Sequence, residues 1–167
     1  SKTLFLFAAN FLGLAIAQSN YDYYAFSFEV PAVACMGKNC QTQYQGNLQP
    51  QTMNLHGLWP NKYDNNNPES CGENNFVDSD LTDATRALLD ERWNGLYSSS
   101  FSFRSHEWGK HGTCWNQGSA ARRFLSTDDA EKSKINAYFT LGVNLLKGLN
   151  IDSVIFAKSV TSSSDLY

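Results

Sequence analysis

The chain has 167 residues, 42% of them hydrophobic and 17% charged, which suits a domain with a buried core and excludes a disordered or low-complexity polymer. Its net charge of −3 excludes the capture of polyanions by a broad basic face, so any such ligand has to be met by a local cluster of side chains.

Lys2 precedes an apolar run from Leu4 to Ile16, broken only by Asn10 and Gly13, and Ala15-Ile16-Ala17 is a small-x-small triplet. This is the layout of an export signal, and the run is too short for a comfortable membrane span. Residues 1–17 are therefore expected to be a signal peptide, and residues 18–167 one domain, secreted or delivered to a lysosome-like vacuole and monomeric.

Tyr24, Phe26, Phe28 and Val30 alternate with smaller or polar residues, so a strand is predicted over Tyr23–Val30, ended by Pro31. Residues 32–52 read as a polar loop. A second strand is predicted over Thr52–Leu58, closed by Trp59-Pro60, followed by an Asn-dense loop from Asn61 to Asn75. Leu81, Ala84, Leu88 and Leu89 share one face of a helix over Asp80–Trp93, stopped by Asn94-Gly95. Ser98–Ser102 reads as a loop and Arg104–Gly112 as a helix. Ser126-Thr127-Asp128-Asp129 opens a longer helix to Leu149, with Ile135, Tyr138, Phe139, Leu141, Leu145, Leu146 and Leu149 as its apolar positions. Ser153–Val160 is a strand candidate. Short strands and helices without a βαβ rhythm predict an α+β fold.

The four cysteines, Cys35, Cys40, Cys71 and Cys114, form an even set behind an export signal, which implies disulfides. Three pairings are open. The most economical joins Cys35 to Cys40 and Cys71 to Cys114, a local clip and a long-range bridge.

All three histidines, His56, His106 and His111, fall in two short segments, Leu55-His56-Gly57-Leu58-Trp59-Pro60 and Ser105-His106-Glu107-Trp108-Gly109-Lys110-His111-Gly112-Thr113-Cys114. On a helix, His106 and Lys110 are four apart, and so are Glu107 and His111, which puts two imidazoles, an ammonium and a carboxylate on one surface. A solvated, salt-bridged face is the plainer reading, but such faces seldom carry two His beside Trp. A Cys71–Cys114 bond would also draw the two His segments together. Zinc is disfavoured: His106 and His111 are five apart, turned roughly 140° from one another on a helix, and Lys110 places a positive charge where the cation would sit. No metal and no cofactor is expected. The set suits transphosphorylation of RNA, in which the ribose 2′-OH is the nucleophile, one imidazole removes its proton, a second protonates the leaving oxygen, and a cation stabilises charge on phosphorus. A binding module without turnover is the alternative from another class, and it would be favoured by loss of a motif histidine.

His-Gly-Leu-Trp-Pro at 56–60 and His-Glu-Trp-Gly-Lys-His-Gly-Thr-Cys at 106–114 resemble the two signature segments of the ribonuclease T2 family. The resemblance extends from about Tyr21 to the end of the chain. It implies an antiparallel sheet with helices packed around it, stapled by disulfides. It implies that His111 is the general base and His56 the general acid, that His106 binds phosphate, and that Lys110 and Glu107 stabilise the pentacoordinate transition state. Cys71 and Cys114 match the bridge between the segments, and Cys35 and Cys40 a pair found in some members. Trp59 matches the residue that stacks on the base 5′ of the cut, Asn61 tunes base choice, and Tyr63 closes the same pocket. Glu29 falls near a second base site, and Trp108 reads as core. Members of the family continue further, so the sheet is expected to extend beyond Tyr167.

Overall fold

In a computed structural model of the chain, residues 21–44, 52–115 and 127–156 are described, so the expected signal peptide lies outside the described residues. The elements mix helices with a small antiparallel sheet, as the sequence led us to expect. Strand β1 spans Tyr23–Glu29 and strand β2 spans Asn54–Asn61. They pair antiparallel, from Tyr23 opposite Asn61 to Glu29 opposite Asn54. β2 runs through Trp59-Pro60, where the sequence suggested a stop. A strand tolerates proline where the missing N–H falls at a sheet edge, and among the described residues each of the two strands is an edge.

The register is not regular. Ser27 faces Gly57 and Phe28 faces Leu55, so His56 has no opposite residue and forms a bulge. The backbone carbonyl of His56 accepts a hydrogen bond from the indole N–H of Trp93 at 3.1 Å. A buried tryptophan thus supplies the partner that the ladder lacks.

Helix α1 is a short turn over Pro31–Ala34 in a segment expected to be loop, with Pro31 at a position where its missing N–H costs nothing. The clip Cys35–Cys40 follows it. Helix α2 spans Asp83–Arg92 and is capped by the Thr82 hydroxyl, which accepts from the Thr85 N–H at 3.1 Å. The expected start at Asp80 is instead a 3-10 turn over Asp78–Asp80, held by Arg86, whose guanidinium bonds the Asp78 carbonyl at 2.9 Å. Helix α3 spans Ser100–Lys110 and begins within the segment expected to be loop. The reason is again a cap: Ser99 Oγ accepts from the Ser102 N–H at 3.1 Å, so a serine run that looks like a linker starts a helix.

Helix α4 spans Thr127–Gly148. Ile135, Tyr138, Phe139, Val143 and Leu146 are buried along it, whereas Leu149, expected on the apolar face, is exposed just beyond its end. Gly142 allows the close approach: a Cβ there would lie 2.6 Å from the Trp93 ring and 2.9 Å from Leu55. The expected strand over Ser153–Val160 is a helix in its described part, α5, Ile151–Phe156, and residues 157–160 lie outside the described residues. Hydrogen bonds at its start, one local and one long-range, outcompete the β propensity of its residues. Asn150, at φ 50°, breaks α4, its carbonyl accepts from the Ser153 N–H at 3.1 Å, and Asp152 accepts the Met53 N–H at 2.7 Å.

The core lies between β2 and helices α2, α3 and α4. Leu55, Leu58, Trp93, Trp108, Tyr138 and Phe139 are fully buried in it, so Trp108 is core, as expected. The Trp93 and Phe139 rings meet edge-on at 4.9 Å between centroids. No helix among the described residues is long and apolar enough to cross a membrane.

The second disulfide joins Cys71 to Cys114 across 43 positions, the first spans 5. In the chain-entropy model these loops are worth about 4 and about 2 kcal/mol. Replacing Cys71 and Cys114 together with alanine should therefore cost about twice as much stability as replacing Cys35 and Cys40, as read by urea denaturation under oxidising conditions.

Candidate active site

β2 and α3 carry the two histidine segments, and they meet at Glu107. This carboxylate sits on the inner face of α3 and is 1% exposed. Trp59 of β2 donates its indole N–H to Glu107 Oε2 at 2.9 Å. His56 Nε2 lies 3.9 Å from the other carboxylate oxygen. Gly57 makes this possible, because a Cβ at that position would overlap both the Trp59 ring nitrogen and the Glu107 carboxylate. The glycine between His56 and Leu58 is therefore a packing requirement of the bond that joins strand to helix.

His111 is the residue at which α3 stops. Its N–H still bonds the Glu107 carbonyl at 3.0 Å, so the four-residue relation between them holds, but its ψ of −46° at φ −116° leads into a 3-10 turn over Gly112–Cys114. The expected helix to Gly112 thus ends two residues early. The His111 ring stacks on Trp59 at 5.2 Å between centroids, and His56 meets the same indole edge-on at 5.4 Å. One tryptophan therefore touches both imidazoles.

The turn after His111 is braced from several sides. The Cys71–Cys114 disulfide ties it to the loop that follows β2. Ser70 N–H bonds the Lys110 carbonyl at 2.8 Å and Cys71 N–H bonds Thr113 Oγ1 at 3.1 Å. The buried ammonium of Lys134 bonds the Thr113 carbonyl at 3.0 Å and lies over the Trp108 ring at 5.3 Å. The ends of the loop are thereby held against the end of α3.

These elements enclose a cavity of about 370 Å³. It brings together His56, His106, Glu107, Lys110, His111, Trp59 and Asn61, all singled out from the sequence. Tyr63 is not brought in: its ring is 80% exposed and stacks on Tyr23 at 5.2 Å. The cavity also takes in Asn67, Pro68 and Glu69, which sequence reasoning passed over. Glu69 Oε1 lies 3.3 Å from the Lys110 ammonium. The signal that could have found them is the spacing to Cys71: a bridge to Cys114 carries the residues just before Cys71 to the end of α3.

Burial sets the charge state. It pushes the Glu107 carboxyl up to about 7, against the pull of the Trp59 N–H and Lys110, with Glu29 adding to the rise. Burial also pushes the His111 imidazole down to about 4, assisted by the positive charge of Lys110. Between about pH 4 and 7 the pocket therefore offers a neutral carboxylic acid and a neutral imidazole on His111 beside the ammonium of Lys110.

The two shifts have opposite consequences for stability. Between the ordinary carboxyl value of 4.5 and about 7, folded Glu107 holds a proton that the unfolded chain has lost, so stability falls as pH rises. Between about 4 and the ordinary imidazole value of 6.5, the unfolded chain holds a proton on His111 that the folded chain lacks, so stability rises with pH. The slopes offset each other where the windows overlap. Glu107→Gln removes one of them, and its urea-unfolding free energy should climb from pH about 4 to about 6.5, by on the order of a few kcal/mol, relative to a flatter wild type. Parallel profiles for the two proteins would contradict the assigned charge states.

A model of the Ribonuclease T2 family matches residues 21–167. The intracellular ribonuclease LX of Solanum lycopersicum is 28% identical over 106 residues, which are 62% of this chain and 45% of that protein. The extracellular ribonuclease LE of the same plant is 25% identical over 159 residues, 93% of this chain and 64% of that one. The crystal structure of RNase NT in complex with 5′-AMP superposes with a TM-score of 0.56 at 27% identity, covering 77% of this chain and 57% of that structure. The chain thus spans less than two thirds of each of these three proteins. Both histidine segments, the bridge between them and a match that takes in all the described residues lead to one assignment: this chain belongs to the Ribonuclease T2 family.

Proposed function

We propose that the protein is an endoribonuclease that cleaves single-stranded RNA by transphosphorylation, without a metal. The observation that carries this reading is the convergence of three imidazoles, an ammonium and a buried carboxyl on one cavity, with His111 held neutral.

In the first step, His111 takes the proton of the ribose 2′-OH and the 2′-oxygen attacks phosphorus. The bond from phosphorus to the 5′-oxygen breaks, and that oxygen receives a proton from His56. The product is a 2′,3′-cyclic phosphate. In the second step water replaces the departed nucleotide with the two roles reversed, leaving a 3′-phosphate. A base must be unprotonated to act, and the depressed His111 is so at all but strongly acidic pH. Lys110 and His106 meet the phosphate oxygens. Glu107, protonated below about pH 7, donates a hydrogen bond to the phosphorane without adding a negative charge beside it. Trp59 and Asn61 face the base on the 5′ side of the cut.

The apolar stretch at residues 1–17 and the two disulfides support passage through an oxidising secretory route, to the exterior or to an acidic vacuole. Acidic surroundings suit the site, since Glu107 is neutral there and His111 remains a base.

Cleavage of RNA in EDTA should show a bell-shaped dependence on pH, with an acidic limb near 4 from His111 and cyclic-phosphate intermediates. His111→Ala should lower kcat/KM by about 10²–10⁴-fold. RNA left intact by folded wild-type protein at every pH would sink the catalytic reading and leave a nucleotide-binding module in its place.

A further inference from the structure

A carboxylate is a poor lining for a pocket that takes a polyanion, yet Glu69 stands in this one beside Lys110, half-exposed. It reaches the pocket on the loop after β2, together with Asn67, and Asn61 lines the same pocket from the end of β2. That loop is built to hold its side chains in place. Asn67 Oδ1 accepts the Lys62 N–H at 2.8 Å, which settles which end of the amide is the oxygen and leaves its Nδ2 hydrogens for a ligand in the pocket. Ser70 N–H, next in the chain to Glu69, is tied to the Lys110 carbonyl at 2.8 Å. The wall therefore pairs an amide donor with an acceptor-only carboxylate, two positions apart.

We propose that Glu69 and Asn67 read the base, and that they select guanine. The inference rests on the pocket being the RNA site described above. The Watson–Crick edge of guanine carries an acceptor, O6, beside two adjacent donors, N1–H and N2–H. Asn67 Nδ2 donates to O6, and the Glu69 carboxylate accepts from both N–H groups. The bond to Lys110 uses one of the lone pairs of that carboxylate and leaves others for the base. Uracil matches in part, with O4 beside a single donor at N3. Adenine and cytosine place a ring nitrogen lone pair against the carboxylate and are disfavoured, because two acceptors then face each other and the bonds to N1–H and N2–H are lost. The order of preference is guanine, then uracil, then adenine and cytosine.

The test is equilibrium binding of guanosine, uridine, adenosine and cytidine 3′-monophosphates, with inorganic phosphate as the ligand without a base. Wild-type protein should bind the guanosine nucleotide about tenfold more tightly than the uridine one, the scale of one good bidentate pair. In Glu69→Gln that ratio should fall close to one, while inorganic phosphate binds as well as before or better, since a negative charge has gone. Equal affinity for all four nucleotides in the wild type would overturn the proposal. So would a Glu69→Gln protein in which all four tighten equally, for then Glu69 only masks Lys110. The cleavage reading fails independently: selective binding of the guanosine nucleotide by a protein that leaves RNA intact would keep the base assignment and discard catalysis.

Discussion

The hydrogen bond from the Trp59 indole to the buried Glu107 carboxyl is the interaction on which the site depends. A carboxylate that is 1% exposed is costly unless it is paired or protonated, and here both partial remedies operate. One oxygen has the indole N–H, the other faces His56, and burial favours the protonated form. Because the donor is on β2 and the acceptor on α3, the same bond sets the distance between the two histidine segments. Gly57 has no room for a side chain because the bond passes over it.

The surrounding architecture keeps that geometry from relaxing. Trp93 fills the core between α2 and α4 while its N–H satisfies the carbonyl of the His56 bulge. Tyr138 of α4 donates its hydroxyl to the Leu58 carbonyl at 2.9 Å, one residue from Trp59. Core aromatics thus double as hydrogen-bond donors to the strand that carries the site, which links packing density to the position of the reactive groups. On the other side, Lys134 and the Cys71–Cys114 bridge hold the turn after His111. A short strand pair that would be marginal by itself is in this way held by bonds from three helices and a disulfide.

The electrostatic contrast follows from the same burial. Glu107 and His111 are both nearly enclosed, and enclosure disfavours whichever form is charged, so the acid rises and the base falls. Between about pH 4 and 7 an acid and a base four residues apart are thus both neutral, and a positive charge is left to the partly exposed Lys110. The whole chain is acidic, and in the cavity the Lys110 ammonium is faced by the Glu69 carboxylate, so the positive field there is local and partly offset.

Much of this was legible in the residues alone. The strand over β1, the apolar positions Ile135, Tyr138, Phe139 and Leu146 of α4 and the placing of His106, Glu107, Lys110 and His111 around one helix end are properties of local pattern, while the pairing of the cysteines and the meeting of His56 with that helix end were legible from spacing and from the motifs. Where the sequence misled, a competing hydrogen bond won: the local Ser99 cap began α3 early, and the Asn150 turn together with the long-range bond from Met53 to Asp152 accompanies a helix, α5, in a β-rich segment. Only the tertiary structure could decide the rest. The bulge that presents His56 depends on a register between strands about thirty residues apart and on the tryptophan that follows α2. The place of Asn67 and Glu69 in the pocket depends on a loop drawn in by a distant cysteine. The proton affinities of Glu107 and His111 depend on burial, which no residue carries in its own identity and which exists only once the chain has packed.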